Sequence, residues 1–238
     1  MNSQTRGLAE AVGTDYTMHA ARMRPPWNWL PVRWIPTCEW TYRGVPRCSA
    51  GTAPRLVISC GRHGVVPALA LKRLLGERVF TVHIQDPKTD TSAFDLVVAP
   101  KHDGVAGENV YATMGAIHYV TDEKLAAARI APEAEALEAD SHTLVTVLVG
   151  GPNKYYQLGS REAEQLVERL KPVTADPRIR LVILGSNRTP PSVMETLTEA
   201  FGRRHYVWNG SDVNPYFSAL ALARYVVVTG DSVSMVTE

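Results

Sequence analysis

The sequence predicts an α/β protein with two parallel, doubly wound sheets, one in each half of the chain. Three observations carry that expectation. Short runs of Val, Ile and Leu bounded by Gly or Pro recur from residue 55 onward, and such runs suit strands buried on both faces. Segments of helical period separate them. The alternation occurs twice, with an acidic, Ala-rich stretch between the two series.

Taken in order, residues 1–13 read as a helix with Leu8, Ala11 and Val12 on one face, and no strand precedes it. Residues 24–40 break the rhythm, because Pro25, Pro26, Pro31 and Pro36 exclude a regular helix or a central strand. Four of the five tryptophans, Trp27, Trp29, Trp34 and Trp40, lie here among Arg22, Arg24 and Arg33. Two readings fit: an irregular segment that plugs its rings into the core, or a lid or interfacial patch. Strands are expected at 56–60, 79–84 and 94–99, then at 144–149, 181–184, 205–208 and 225–229. In one intervening helix Ala163, Leu166, Val167 and Leu170 share a face, while Glu162, Glu164, Glu168 and Arg169 point outward. Another is expected to start with Thr189 as N-cap and Pro190 as the first helical residue. Residues 122–140 read as a connecting helix containing Pro132, so the domains are expected at 1–135 and 136–238. A doubly wound domain normally opens with a strand and closes with a helix; the expectation is a chain lacking pieces at both ends.

Composition narrows the function classes. With 238 residues, 45% of them hydrophobic, the chain can bury the core of one large or two compact domains. Lys and Arg number 25 against 24 for Asp and Glu, a balance without the electrostatic footprint of a duplex-DNA binder. No nucleic-acid partner is expected. Cys38, Cys48 and Cys60 include no C-x-x-C pair, which argues against a disulfide framework or zinc site and suits free thiols in a reducing compartment. The histidines are scattered and no metal is expected. No signal-peptide pattern and no apolar run of about 20 residues appears. The expected location is the cytoplasm, with a peripheral contact to the inner membrane through Trp27, Trp29 and Trp34.

Open α/β sheets bind ligands at the carboxyl ends of their strands, and several strand ends here carry polar residues. Gly61, Arg62 and Gly64 follow the first strong strand, ahead of a helix expected from Val65. They read either as an anion or acceptor site or as a tight turn. Gln85 and Asp86 close the next strand as further substrate-binding candidates, and His102 and Asp103 follow the third. Either of the last two is a candidate general base; a solvated surface pair is the other reading. In the second half three successive strands end in glycine plus hydroxyl, amide or cation. These are Gly150, Gly151 and Asn153; Ser186, Asn187, Arg188 and Thr189; and Gly230, Asp231, Ser232 and Ser234. Together they suggest a diphosphate cradle, with helix N-termini aimed at it. Asn214 and Tyr216 enter the next helix, Asn214 as an N-cap or, with Tyr216, as a nucleotide-base contact.

Certain segments resemble a known family. Gln4 to Ala11, Gln85-Asp86-Pro87, Phe94 to Pro100, His102-Asp103, Gly150-Gly151-Pro152, Ser186 to Pro190 and Thr229 to Met235 are similar to the mitochondrial fission "elongated mitochondria" family, in a bacterial-type member. The resemblance implies a glycosyltransferase-like fold of the GT-B type, with two Rossmann-like domains. The second domain would hold a nucleotide-diphosphate sugar as donor substrate and the first a lipid-linked or envelope acceptor. No cofactor or metal would be needed. Plant members recruit a dynamin-like protein in mitochondrial division, so a non-enzymatic interaction protein is the alternative. Some bacterial members carry a sugar-epimerase label, but the Tyr-x-x-x-Lys pair of short-chain epimerases does not occur here.

Overall fold

A computed structural model of the chain describes residues 2–48, 53–137 and 139–237. The chain divides into two compact units, one running to Tyr119 and the other from Val120 to Val236. The first contains α1 (Asn2–Val12), β1 (Arg22–Met23), β2 (Tyr42–Arg43), β3 (Leu56–Cys60), α2 (Gly61–Leu75), β4 (Phe80–Ile84), β5 (Leu96–Pro100) and β6 (Val110–Thr113). The second contains α3 (Asp122–Ala128), α4 (Pro132–Glu135), β7 (Thr143–Val149), α5 (Ser160–Leu170), β8 (Ile179–Gly185), α6 (Pro191–Phe201), β9 (Tyr206–Val207), α7 (Tyr216–Leu222) and β10 (Tyr225–Val228). A short α8 (Val233–Thr237) follows. This is the α/β, parallel-sheet class that the sequence predicts.

In the first unit the strands run β3-β4-β5-β6, all parallel. Helix α2 lays Val65, Val66 and Ala68 on Val97 and Ala99, and α1 packs on β3. The crossovers out of β4 and β5 carry only 3-10 turns, at Thr91–Ala93 and Lys101–Asp103. The Asp95 carboxylate ties β4 to β5 by accepting from the Thr81 N–H (2.7 Å) and hydroxyl (2.8 Å), with Lys72 at 2.8 Å.

The second unit has the order β10-β7-β8-β9, again all parallel. The pleat sends alternate residues of β7 to opposite faces. Val145, Val147 and Val149 meet Ala163, Val167 and Leu170 of α5 and Val193 and Leu197 of α6. Leu144 and Leu148 meet Leu137 and Ala219 of α7. Both faces are covered, so near-continuous apolar strands are satisfied; each fully buried Val or Leu contributes roughly 1.5–3 kcal/mol.

Three expectations are corrected. The units divide after Tyr119 rather than near 135, because α3 and α4 pack on α7 of the second unit. The connecting helix is two pieces: α3 ends at Ala128, and Pro132 opens α4 as its first residue, where its missing N–H costs nothing. Helix α6 starts one residue late, with Pro190 as N-cap and Pro191 in the first turn. Thr189 does not cap it; its hydroxyl donates to the carbonyls of Val149 and Gly150 instead.

Candidate ligand-binding site

The order of the second sheet fixes where its loops converge. From β7 the chain moves through α5 to β8 on one side, and β10 returns to pair with β7 on the other. That reversal is a topological switch point, and the crevice at the carboxyl ends of β7 and β10 is where such sheets take ligands. Gly150 and Gly151 leave β7 there, Ser186 to Thr189 leave β8, and Thr229 to Asp231 leave β10.

Asp231 sits at the centre, its side chain only 5% exposed. The Gly151 N–H donates to its carboxylate (2.9 Å), as does the Thr229 hydroxyl (2.6 Å). An Arg188 guanidinium nitrogen lies 3.5 Å from it, on a side chain 49% exposed. The Thr229 hydroxyl also accepts from the Gly150 N–H (2.8 Å), and the Asn153 amide donates to the Asp231 carbonyl (2.8 Å). Asn153 Oδ1 in turn accepts from the N–H groups of Tyr155 and Tyr156. On the third loop Ser186 Oγ accepts from the Arg188 N–H (3.2 Å) and lies 3.1 Å from the Thr189 hydroxyl. Asn187 is exposed.

Close approach explains both glycines. A Cβ on Gly150 would stand 2.1 Å from the Asp231 carboxylate, and one on Gly151 would stand 2.3 Å from the Arg188 carbonyl oxygen. The structure thus brings the three loops together through a hydrogen-bonded carboxylate. The N–H groups of Gly150 and Gly151 donate to Thr229 and Asp231 respectively. Pro190 and Pro191 supply no N–H at the start of α6, and α8 is only five residues long. The cation of the cluster is Arg188, whose side chain is half exposed. Ser232 and Ser234 are both partly exposed on the short segment after Asp231. Thr229 is the site residue that the sequence reading passed over, although it stands inside the motif.

Asn214 and Tyr216 belong to a different construction. Asn214 Oδ1 accepts from the Tyr216 N–H (3.0 Å) at the start of α7, although Pro215 and not Asn214 is the N-cap, and the Tyr216 ring packs on the α7 side of the sheet and against Phe217.

In the first unit no loop separates β3 from α2. The helix begins at Gly61, itself buried with φ +64°, and not near Val65. Arg62 donates to the Leu30 carbonyl and thereby holds the Trp-rich segment. Gln85, at φ +79°, donates to Gln4 Oε1 (3.3 Å), which also accepts from the Cys60 thiol (3.5 Å). Burial pushes that thiol up to about 11. Asp86 accepts from the Lys88 N–H (2.7 Å) and pairs with its ammonium. Burial raises the Asp86 pKa, but the Lys88 hydrogen bonds and charge outweigh it and hold the carboxyl below its usual range. Beneath them Ser59 Oγ and His83 Nδ1 share a hydrogen bond of 2.8 Å inside the sheet. Burial drops the His83 pKa to about 4. His102 and Asp103 occupy the 3-10 turn after β5, their side chains 51% and 27% exposed and 3.6 Å apart. Among the described residues no group of three or more His, Cys, Asp or Glu side chains could hold a metal ion. Cys38, Cys48 and Cys60 form no disulfide.

Fold and loops define a Rossmann-like α/β protein with a charged loop cluster at the switch point of its second sheet. The chain belongs to the family described as Mitochondrial fission ELM1, which matches residues 1–238. Mitochondrial fission protein ELM1 of Arabidopsis thaliana is 32% identical over 211 residues, covering 78% of this chain and 49% of that protein. An uncharacterized protein of Rickettsia prowazekii (strain Madrid E) is 26% identical over 220 residues, covering 78% of this chain and 61% of that protein. The chain therefore spans about half to three fifths of the length of these relatives. Among solved structures, the S. aureus MnaA–UDP co-structure aligns with a TM-score of 0.47 at 15% identity, covering 74% of this chain and 54% of that one.

Proposed function

We propose that the second unit binds the diphosphate of a nucleotide sugar at the switch-point loops, and that the protein is a glycosyltransferase-like enzyme. The observation that supports this most is the meeting of Gly150, Gly151, Arg188 and Asp231 at the carboxyl ends of β7, β8 and β10. A departing diphosphate gathers negative charge, which the Arg188 guanidinium neutralises through charge-assisted hydrogen bonds. Asp231 holds that guanidinium and the glycine backbone in place beforehand. The donor is a substrate in this reading, with no resident cofactor or metal. In the first unit His102 or Asp103 takes the proton of an acceptor hydroxyl, since both lie past a strand end and reach solvent. The acceptor class is a lipid-linked or envelope saccharide, handled in the cytoplasm at the inner membrane.

Two observations favour a second reading, an interaction protein on the same scaffold. Asp231 already occupies backbone and hydroxyl donors that a diphosphate would use, and the family is described by mitochondrial fission. Thermal stabilisation by a panel of nucleoside diphosphates separates the two. A true ligand at 100 times its Kd adds roughly 2.7 kcal/mol. Arg188→Ala then weakens it by roughly 1.5–3 kcal/mol, the usual worth of a hydrogen bond to a charged group, and EDTA leaves binding intact. No stabilisation by any nucleotide removes the enzyme reading; unchanged affinity in Arg188→Ala removes the cradle.

A further inference from the structure

We infer that residues 22–43 of the first unit form a face that docks on a lipid bilayer carrying anionic headgroups. The inference stands apart from the nucleotide site. It starts from how the segment is held: Met23, Val32, Ile35 and Tyr42 are buried against α2, and Trp27 packs partly into the same cluster. With those anchors in place the remaining indoles are left outside. Trp29 is 76% exposed, Trp34 62% and Trp40 57%. Core plug and exposed ring are not exclusive here: Trp27 packs inward while Trp29, Trp34 and Trp40 stay outside. Three large rings left in water on an anchored segment are an unusual apolar exposure for a protein surface.

Charge identifies the occupant. No Asp or Glu occurs between Tyr16 and Cys38. Strands β1 and β2 pair antiparallel with Arg22 directly opposite Arg43, and both are exposed while Met23 and Tyr42 beside them are buried. Like charges directly opposite each other on a ribbon are unfavourable, and an anionic surface would turn that repulsion into attraction. Arg24, just after that strand, is exposed too with its guanidinium donating to the Tyr42 carbonyl (2.9 Å), and the Arg33 guanidinium lies 5.4 Å from the Trp34 ring centre. Glu39, the nearby acid, pairs with Arg47 at 2.9 Å. The Trp27 and Trp40 rings meet edge to face, 5.1 Å between centres, which joins the Trp-rich turns to the arginine ribbon. Indoles seek the headgroup region, and guanidinium groups bind phosphate as a fork. No helix among the described residues is long and apolar enough to cross a membrane, so this face would make a peripheral contact.

Vesicles of phosphatidylcholine with and without phosphatidylglycerol test it on the whole chain. The expected result is sedimentation with the phosphatidylglycerol vesicles only, a blue shift of Trp emission on binding, and release by high salt. The double variant Trp29→Ala with Trp34→Ala should bind roughly tenfold or more weakly, since it removes the inserting apolar area. Arg22→Gln and Arg43→Gln should each lose about fivefold. Because all four side chains are exposed, the thermal midpoint should hold, and relieving the Arg22–Arg43 repulsion should if anything raise it. Equal binding to both vesicle types, no binding to either, or parental affinity in the double tryptophan variant overturns the docking face. None of these outcomes bears on nucleotide affinity at Arg188.

Discussion

Both units end parallel strands in loops that face outward, but they close those ends with different chemistry. In the first, Ser59 and His83 are buried side by side, 7% and 0% exposed, and Gln4, Gln85 and Cys60 satisfy one another above them. All of these groups are neutral, and none offers a charge to a ligand. In the second, a carboxylate with 5% exposure takes backbone and hydroxyl donors and faces a cation left half in water. The contrast is electrostatic: a sealed neutral cluster resists protonation of the unit it sits in, whereas the second unit ties its loop ends together through a charged pair.

The largest effect that sharpens this contrast is acid sensitivity of the first unit. His83 has a folded pKa of about 4, lowered first by burial, against 6.5 when unfolded. The unfolded chain therefore takes up a proton as pH falls below 6.5, while the folded chain stays neutral until about 4. Stability from this group is complete above pH 6.5, is lost as the pH falls to about 4, and changes no further below that. The loss should be about 3 kcal/mol. Denaturation followed by Trp emission reports mainly the first unit, which holds four of the five tryptophans. His83→Gln should flatten the curve across that window. A slope that persists in the variant would assign the acid sensitivity to other groups and dissolve the contrast.

The second unit should depend on a carboxylate instead. Asp231→Ala removes the acceptor of the Gly151 N–H and the Thr229 hydroxyl and leaves Arg188 without its partner. Unsatisfied buried donors make the expected loss about 2–3 kcal/mol. Hydrogen exchange should place that loss in β7, β8 and β10 and leave the first sheet protected. Loss spread evenly over both sheets, or less than about 0.5 kcal/mol, the scale of an ordinary surface substitution, would mean that Asp231 does not hold the loops.

Most of this architecture was legible in the sequence, and the gaps have physical causes. Strands β7 and β8 were plain because both faces are buried and their residues are uniformly apolar. Strand β6 was missed: Val110–Thr113 pairs on one side only and exposes Tyr111 and Ala112, so it carries neither alternation nor an apolar run. The expected start of α2 falls late because Gly61 and Gly64 read as loop; in the structure both lie within the helix, and Pro67 is buried inside it. Convergence of the three loops in the second unit could be expected from their order along the chain. That Asp231 would turn inward and take the glycine N–H groups could not, because a buried carboxylate and a ligand-binding one have the same local sequence.

The smallest effect is the one that separates positioning from stability within the charged cluster. Arg188 reaches Asp231 at 3.5 Å with half its side chain in water. A pair of that kind is screened by solvent, and the side chain's own entropy opposes it, so Arg188→Ala should cost less than about 1 kcal/mol of stability. Asp231 keeps the Gly151 N–H and the Thr229 hydroxyl when Arg188 is gone, and the loops stay closed. The same substitution that barely moves a urea midpoint should then weaken nucleotide binding by roughly 1.5–3 kcal/mol, if the guanidinium is there for a ligand. A loss of stability equal to that of Asp231→Ala would show that the pair acts as one structural unit, and the guanidinium would belong to the scaffold as fully as Ser59 and His83 belong to theirs.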